Sequence, residues 1–284
     1  MTVHQAAVAG AVRLRDSGIE TAWLDAIVLL CHILDCTKER LFTEYETELD
    51  SDTIAAFEST LAKRISGLPV SYIRRSKEFF SLQYFVDERV LVPRPDSELL
   101  VETALRLARS DPSVRRVHDC CTGSGCIAIA LAYERPDLEL SASDVSQDAI
   151  DVAQLNARNV LGHEIPMWRS DLLAGLTAPV DMITANPPYL TTAEYERLAE
   201  QRWPEPQIAL DGGPDGLDTI RTLAYAALDC LRGNRYLLCE AADAQADSVR
   251  EIFKEVGFAR VETVCDIAGH RRVSIGYGAE STRV

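Results

Sequence analysis

Residues 186–189 read Asn-Pro-Pro-Tyr and directly follow the run Asp181-Met182-Ile183-Thr184-Ala185. Two consecutive prolines fix φ and remove two backbone donors, so the carbonyls of such a turn are free to face a ligand. A planar amide or aromatic amine is a poor nucleophile. Two acceptors, the Asn186 side-chain oxygen and the Pro187 carbonyl, could hold it through its N–H hydrogens. Its nitrogen would then be aimed at an electrophilic methyl group, and positive charge developing on it would be favoured. Tyr189 would pack against the planar group, with Pro188 stiffening the turn between them. The plainer reading of the same residues is a proline turn that binds nothing.

A second constellation lies upstream. After Val117-His118-Asp119 comes Cys120-Cys121-Thr122-Gly123-Ser124-Gly125, and then the apolar run Cys126 to Ala132. Glycines at a strand-to-helix turn let the backbone bend sharply and approach a ligand closely, because no Cβ intervenes. Asp144 ends the next apolar run, where an acidic side chain accepts hydrogen bonds from ribose hydroxyls. Gly123-x-Gly125-x-x-Ala128 formally satisfies the dinucleotide fingerprint. Enzymes that use S-adenosylmethionine have a related turn with an acidic residue at the strand end, here Asp119, and no pyrophosphate to cradle. The loop alone does not separate the two cofactors, but a nicotinamide enzyme leaves residues 186–189 without a task.

Both constellations need strand ends to carry them, and the apolar periodicity supplies these. Helix is predicted over Glu98–Arg109, Gly125–Glu134, Gln147–Asn159, Leu217–Leu231 and Gln245–Val256. Strands are predicted over Val114–Cys120, Leu138–Asp144, Met167–Ser170, Asp181–Ala185, Tyr236–Glu240, Arg260–Asp266 and Val273–Tyr277. This alternation means a doubly wound parallel sheet with its ligands beyond the carboxyl ends of the strands. The first 66 residues read differently, as a small helical bundle. Its apolar positions are Val8, Val12 and Leu14, then Trp23, Ile27, Leu30 and Leu34, then Ile54, Phe57, Leu61 and Ile65. Asp52 is placed to cap the third helix, and Gly67 with Pro69 closes it. Alternation at Phe80, Leu82, Tyr84 and Val86, then Val90 and Val92, predicts a hairpin or strand pair as the connector.

Composition narrows the classes. The 284 residues are 47% hydrophobic and 26% charged, ordinary globular values that exclude disordered and collagenous chains. The formal charge of −15 argues against tight, sequence-indifferent binding to a phosphate backbone. Residues 1–10 lack the order of a signal peptide, and no apolar run reaches the roughly 20 residues of a membrane span, so the expectation is a cytoplasmic chain with no membrane partner. Eight scattered cysteines with no Cys-x-x-Cys spacing read as reduced core thiols, with no metal. His118 and His163 read as satisfied or surface histidines and not as bases.

Taken together, the segments resemble the release factor glutamine methyltransferase family. They are Gly67 to Ile73, Glu78 to Phe80, Val92-Pro93-Arg94-Pro95-Asp96-Ser97-Glu98, Asp119 to Ala132, Asn186 to Tyr189 and Glu205 to Gly213. The resemblance implies a Rossmann-like methyltransferase with a mixed seven-stranded sheet. It implies three regions: a helical bundle at 1–70 that helps dock release factors, a hairpin connector at 71–95, and an S-adenosylmethionine-dependent domain at 96–284. It further implies transfer of a methyl group from S-adenosylmethionine, leaving S-adenosylhomocysteine, to the side-chain N5 of the glutamine in the Gly-Gly-Gln motif of class I peptide chain release factors. Asp119 and Cys121, Thr122, Gly123, Ser124 and Gly125 would serve the cofactor's methionine and ribose part, with Asp144 on the ribose. Leu172 would lie against the adenine, and Asp171 would read its amino group. Asn186, Pro187, Pro188 and Tyr189 would hold the substrate glutamine, with Asn186 also near the cofactor. A monomer without stable nucleic-acid binding is expected. Other readings of the same residues are a nucleic-acid adenine-N6 methyltransferase and a non-catalytic binder of translation factors.

Three positions depart from the family pattern. Cys121 and Arg75 stand where glycine is usual, and Cys120 stands where leucine is usual. If position 121 requires φ > 0, the cysteine costs about 1 kcal/mol.

Overall fold

The computed structural model describes residues 1–278, with backbone only at 232–234. The last six residues of the 96–284 region therefore lie outside the described residues. The chain divides into two compact units, one of residues 1–76 with 202–204 and the other of 77–201 with 205–284.

The first unit is helical: α1 (Val3–Asp16), α2 (Ala22–Leu34), α3 (Lys38–Thr43), α4 (Ser51–Ile65) and α5 (Val70–Arg74). Thr2 and Gln5 form a capping box that satisfies the first amides of α1. The cap of α4 is Asp50, whose carboxylate accepts from Thr53 N at 2.7 Å. Asp52, the residue expected to cap, sits inside the first turn. The core is built from Leu14, Ile27, Leu29, Leu30, Leu41, Phe57 and Leu61. Val8, Val12, Trp23 and Ile65, expected in that core, are instead exposed. Alanines bury α1 at Ala6 and Ala7, and Gly10 lies so close to Phe57 that a Cβ would stand 2.8 Å from its ring. The packed face of α1 is thus the one carrying Ala6, Ala7 and Gly10, which leaves Val8 and Val12 on its other side. Arg75 ends α5 at φ 52°, the left-handed conformation that favours glycine.

The second unit begins with a hairpin, β1 (Lys77–Phe79) and β2 (Leu82–Tyr84). Phe80 and Ser81 turn it at φ 51° and 60°, and the expected alternation past Val86 forms no further strand. Then follow α6 (Glu98–Ser110), β3 (Arg116–Cys120), α7 (Cys126–Glu134), β4 (Glu139–Asp144), α8 (Gln147–Leu161), β5 (Met167–Arg169) and β6 (Val180–Ala185). The unit continues with α9 (Thr192–Glu200), α10 (Asp218–Cys230), β7 (Leu231–Glu240), α11 (Ala246–Val256), β8 (Arg260–Cys265) and β9 (Arg271–Tyr277). The seven-stranded sheet runs β5-β4-β3-β6-β7-β9-β8. Strands β5, β4, β3, β6 and β7 are parallel, while β9 inserts antiparallel between β7 and β8. The sheet is therefore mixed, because the short β8–β9 connection returns the chain without a crossover helix. Helix α9 was not expected, although Thr191 and Glu194 spell its capping box.

Register decides what this sheet positions. Cys120 pairs with Ser143 of β4 on one side and Ala185 of β6 on the other. The residues one step beyond, Cys121, Asp144 and Asn186, therefore emerge side by side at the carboxyl edge, where the winding direction of the sheet reverses.

Candidate active site

A cavity of about 700 Å³ opens above that edge in the second unit. Cys121 through Ser124, Asp144, Asp171, Leu172, Asn186 and Pro188 all reach its wall. Asp119, Gly125, Pro187 and Tyr189 do not: Asp119, Gly125 and Tyr189 each have a physical reason to lie behind it, and Pro187 stands between Asn186 and Pro188, which line it.

The Asp119 carboxylate is wholly buried. Its two oxygens accept from Thr122 Oγ1 at 2.6 Å and Thr184 Oγ1 at 2.7 Å, so it pins the loop from below. Burial pushes its pKa up to about 7, with the two threonines pulling against the shift and the charge of Asp144 adding to it. Gly125 holds φ 80°, and a Cβ there would stand 2.9 Å from Ile129 and 3.0 Å from Ala153, so it lets α7 pack against α8. Gly123, at φ 55°, has open space around it and is needed for its backbone conformation alone. Cys121 adopts φ 59°, which meets the condition under which its side chain costs about 1 kcal/mol relative to glycine.

Asp144 does two things at once. Its Oδ2 accepts from Gly123 N at 2.9 Å and its Oδ1 from Ser146 N at 3.0 Å, which latches the loop while leaving lone pairs on the cavity side. Burial raises its pKa, and the backbone amides of Ser146, Gly123 and Val145 counter the rise. On the far side of the loop, Asn156 of α8 donates to Ser124 O at 2.9 Å and exchanges hydrogen bonds with the Phe85 backbone. Leu172, at φ 46°, is held through its carbonyl by Ser143 Oγ at 3.2 Å. His118 is fully buried between Ser141 and Ser143, each at 2.9 Å. Burial lowers its pKa to about 4, so it stays neutral and away from the cavity.

The opposite wall is built from side chains. Asn186 Nδ2 donates to Ser97 Oγ at 2.9 Å, which leaves Oδ1 as the end free to accept. Among the described residues, the Pro187 carbonyl accepts no hydrogen bond. Behind the turn, Gln245 Nε2 donates to Tyr189 O at 2.8 Å, and Leu190 pairs with the 210–212 segment through Leu210 O and Gly212 N. A Cβ on Gly212 would meet Pro188 O at 2.6 Å, so only glycine admits this approach. Tyr189 packs into the apolar cluster of β6, β7 and α10, and burial raises its phenol pKa. Glu205 accepts from Val92 N at 2.9 Å and pairs with Arg94, fixing the Arg94 stretch of the rim. Ser97, Asn156, Glu240 and Gln245 had no assigned part in the sequence reading. Ser97 and Glu205 lay within segments already singled out, but nothing in their spacing showed what they hold.

A doubly wound sheet with a glycine-bearing loop, an acidic strand end and a proline-fixed turn at Asn186 beside its switch point defines a Rossmann-like methyltransferase. The family model described as the methyltransferase small domain matches residues 95–203, and that of the PrmC N-terminal domain matches 5–74. A release factor glutamine methyltransferase of Moorella thermoacetica is 38% identical over 284 residues, covering 99% of this chain and 100% of the relative. One from Shewanella oneidensis is 36% identical and covers 90% of each. The chain belongs to the release factor glutamine methyltransferase family. Among solved structures, a methyltransferase from Pyrococcus furiosus superposes with TM-score 0.53 at 18% identity, covering 72% of this chain and 92% of that one. The hMettl16 catalytic domain, solved with an RNA hairpin, gives 0.58 at 17%, covering 72% and 77%. Both share the fold. Among the described residues no helix is long and apolar enough to cross a membrane.

Proposed function

We propose that the chain transfers a methyl group from S-adenosylmethionine to the side-chain amide nitrogen of the glutamine in the Gly-Gly-Gln motif of class I peptide chain release factors. The observation that carries this is the Asn186 carboxamide. Its nitrogen is engaged by Ser97, and its oxygen is left as an acceptor on the wall of the cavity that Asp144 and the 121–124 loop also line. A group bearing two N–H hydrogens, as a primary carboxamide does, satisfies both that oxygen and the Pro187 carbonyl.

The residues present suit the cofactor. Asp144 has lone pairs to spare for two ribose hydroxyls, the loop presents backbone amides, and Asp171 and Leu172 offer one polar and one apolar contact for a purine. When bound, S-adenosylmethionine supplies a sulfonium-activated methyl group. The chain itself orients and stabilises. Asn186 Oδ1 and Pro187 O would hold the amide so that its nitrogen faces the donor, and their negative ends favour the positive charge that grows on it. The proton released afterwards is acidic enough to leave to water, so no buried base is required. The helices of residues 1–70 would supply part of the surface that docks the release factor.

The test is transfer of labelled methyl to a purified release factor and to the same factor with alanine for the Gly-Gly-Gln glutamine. Label on the first alone is expected. Label on both, or on nucleic acid instead, would overturn the assignment.

A further inference from the structure

Glu240 closes β7 and is 1% exposed. Its Oε2 has no hydrogen-bond partner among the described residues, an expensive arrangement for a buried carboxyl group. Cys239 pairs with Ala185, so Glu240 and Asn186 follow side by side at the ends of neighbouring strands, and Ser97 and Asn186 both favour the charged form of the carboxyl. Ser97 Oγ is already accepting from Asn186 Nδ2 at 2.9 Å, so the serine's own hydrogen points elsewhere, and a charged Glu240, which Ser97 favours, is an acceptor for it.

We infer that Glu240 is a positioning residue for the acceptor site: together with Ser97 it locks the Asn186 carboxamide in the orientation that turns Oδ1 toward the substrate. The reason is one of polarity. An Asn amide flips at little cost unless its neighbours distinguish oxygen from nitrogen. Here a flipped Asn186 would set Oδ1 against a carboxylate, acceptor against acceptor. An ionised Glu240 therefore forbids the flip, whereas a neutral group carrying a donor at 240 would permit it. The inference rests on the reading of Asn186 as the acceptor for the substrate amide.

The same geometry predicts a pH dependence. Burial pushes Glu240 up to about 7; Ser97 pulls it back, the charge of Asp96 raises it, and Arg272 and Asn186 lower it. Asp96 and Arg272 pair with each other at 2.9 Å. The other titratable groups around it are the Tyr189 phenol and the Cys126 and Cys239 thiols, all held protonated well above neutrality by burial. Asp119, beneath the loop and acting on the same Cys126 thiol, is also pushed up to about 7, so the Glu240→Gln comparison is what assigns an acid limb to Glu240. When it gains a proton it becomes a donor, and the lock is released.

The experiment uses the full chain with a release factor and saturating S-adenosylmethionine, following kcat and KM from pH 5.5 to 8.5 for the wild type, Glu240→Gln and Ser97→Ala. Calorimetric cofactor affinity and the infrared band of a protonated carboxyl are recorded alongside. Expected are a wild-type kcat that falls below pH 7 in step with the carboxyl band, and a Glu240→Gln kcat about tenfold lower at pH 8 with that acid limb absent. Cofactor affinity should stay unchanged. Ser97→Ala should lose a similar factor while the band still titrates. Wild-type kcat in Glu240→Gln, or an acid limb that survives the substitution, would overturn the inference. Asn186→Ala, run in parallel, separates the two levels. If it turns over like the wild type, the clamp reading itself fails; if it is crippled while Glu240→Gln is not, only the positioning role fails.

Discussion

The two walls of the cavity are held in opposite ways. The wall formed by residues 121–124 and Asp144 is a backbone structure. Its hydrogen bonds run from main-chain amides to one carboxylate and from threonines to Asp119 beneath it, and it tolerates a non-glycine residue at φ 59°. The wall formed by 186–189 is fixed by side chains brought from far along the sequence, Ser97 holding Asn186 and Gln245 holding Tyr189, with Glu240 ending the neighbouring strand. A backbone cradle suits a ligand recognised by shape and hydroxyls. A wall of oriented side-chain dipoles suits a reacting group whose charge changes during the reaction, since preorganised dipoles act on the transition state.

If this division is right, substitutions should separate cleanly. Asn186→Ala should give the largest effect, a kcat reduced about a hundredfold or more with cofactor affinity nearly intact; equal losses in both would blur the two walls into one. Asp144→Ala should show the reverse, weakening cofactor binding in calorimetry by about 1–3 kcal/mol, and its stability should also drop because the Gly123 latch is lost. Gly125→Ala should destabilise the chain in denaturant by about 1–3 kcal/mol through crowding against Ile129 and Ala153 at a left-handed position. Cys121→Gly should do the opposite and raise Tm by about 2–4 °C, the yield of removing about 1 kcal/mol of backbone strain. A drop in Tm would show that the Cys121 side chain contributes packing that outweighs its conformation.

The smallest effect concerns pH. Glu240 titrates near 7 in the folded chain and near the ordinary carboxylate value when unfolded. Between those values the folded state holds the extra proton, so its contribution to stability grows as pH falls and is lost as pH rises through about 7. Glu240→Gln lacks this linkage. Its Tm relative to the wild type should therefore be more favourable at pH 8 than at pH 5, and a constant difference would contradict a buried carboxyl that titrates near neutrality.

The cofactor-side wall was largely legible in the sequence because its parts are close together in it. The loop, its glycines and Asp144 fall within one strand-helix-strand unit, and the turn at 186–189 announces itself by its prolines. What supports that turn was not legible: Ser97 is 89 residues from Asn186, and Glu240 ends an apolar strand where its carboxyl looks like any strand terminus. The same limit explains Asp119 and Gly125. Their positions mark the loop, but only packing shows that one lies under it and the other between two helices. In the helical unit, periodicity found the helices and misassigned the buried face at Val8, Val12 and Trp23. The close approach of Gly10 to Phe57, which brings the small-residue face of α1 inward and leaves Val8 and Val12 outside, is a tertiary fact. The antiparallel β9 follows from a connection too short to hold a helix.

Selection of a primary carboxamide by the second wall carries the proposed function. It is tested most directly by tandem mass spectrometry of a release factor after reaction with this chain and S-adenosylmethionine, locating the added mass within the Gly-Gly-Gln peptide. A single methyl on the glutamine side-chain nitrogen is the predicted result. A methyl on any other residue, or an unmodified peptide while the chain is saturated with cofactor, would contradict it.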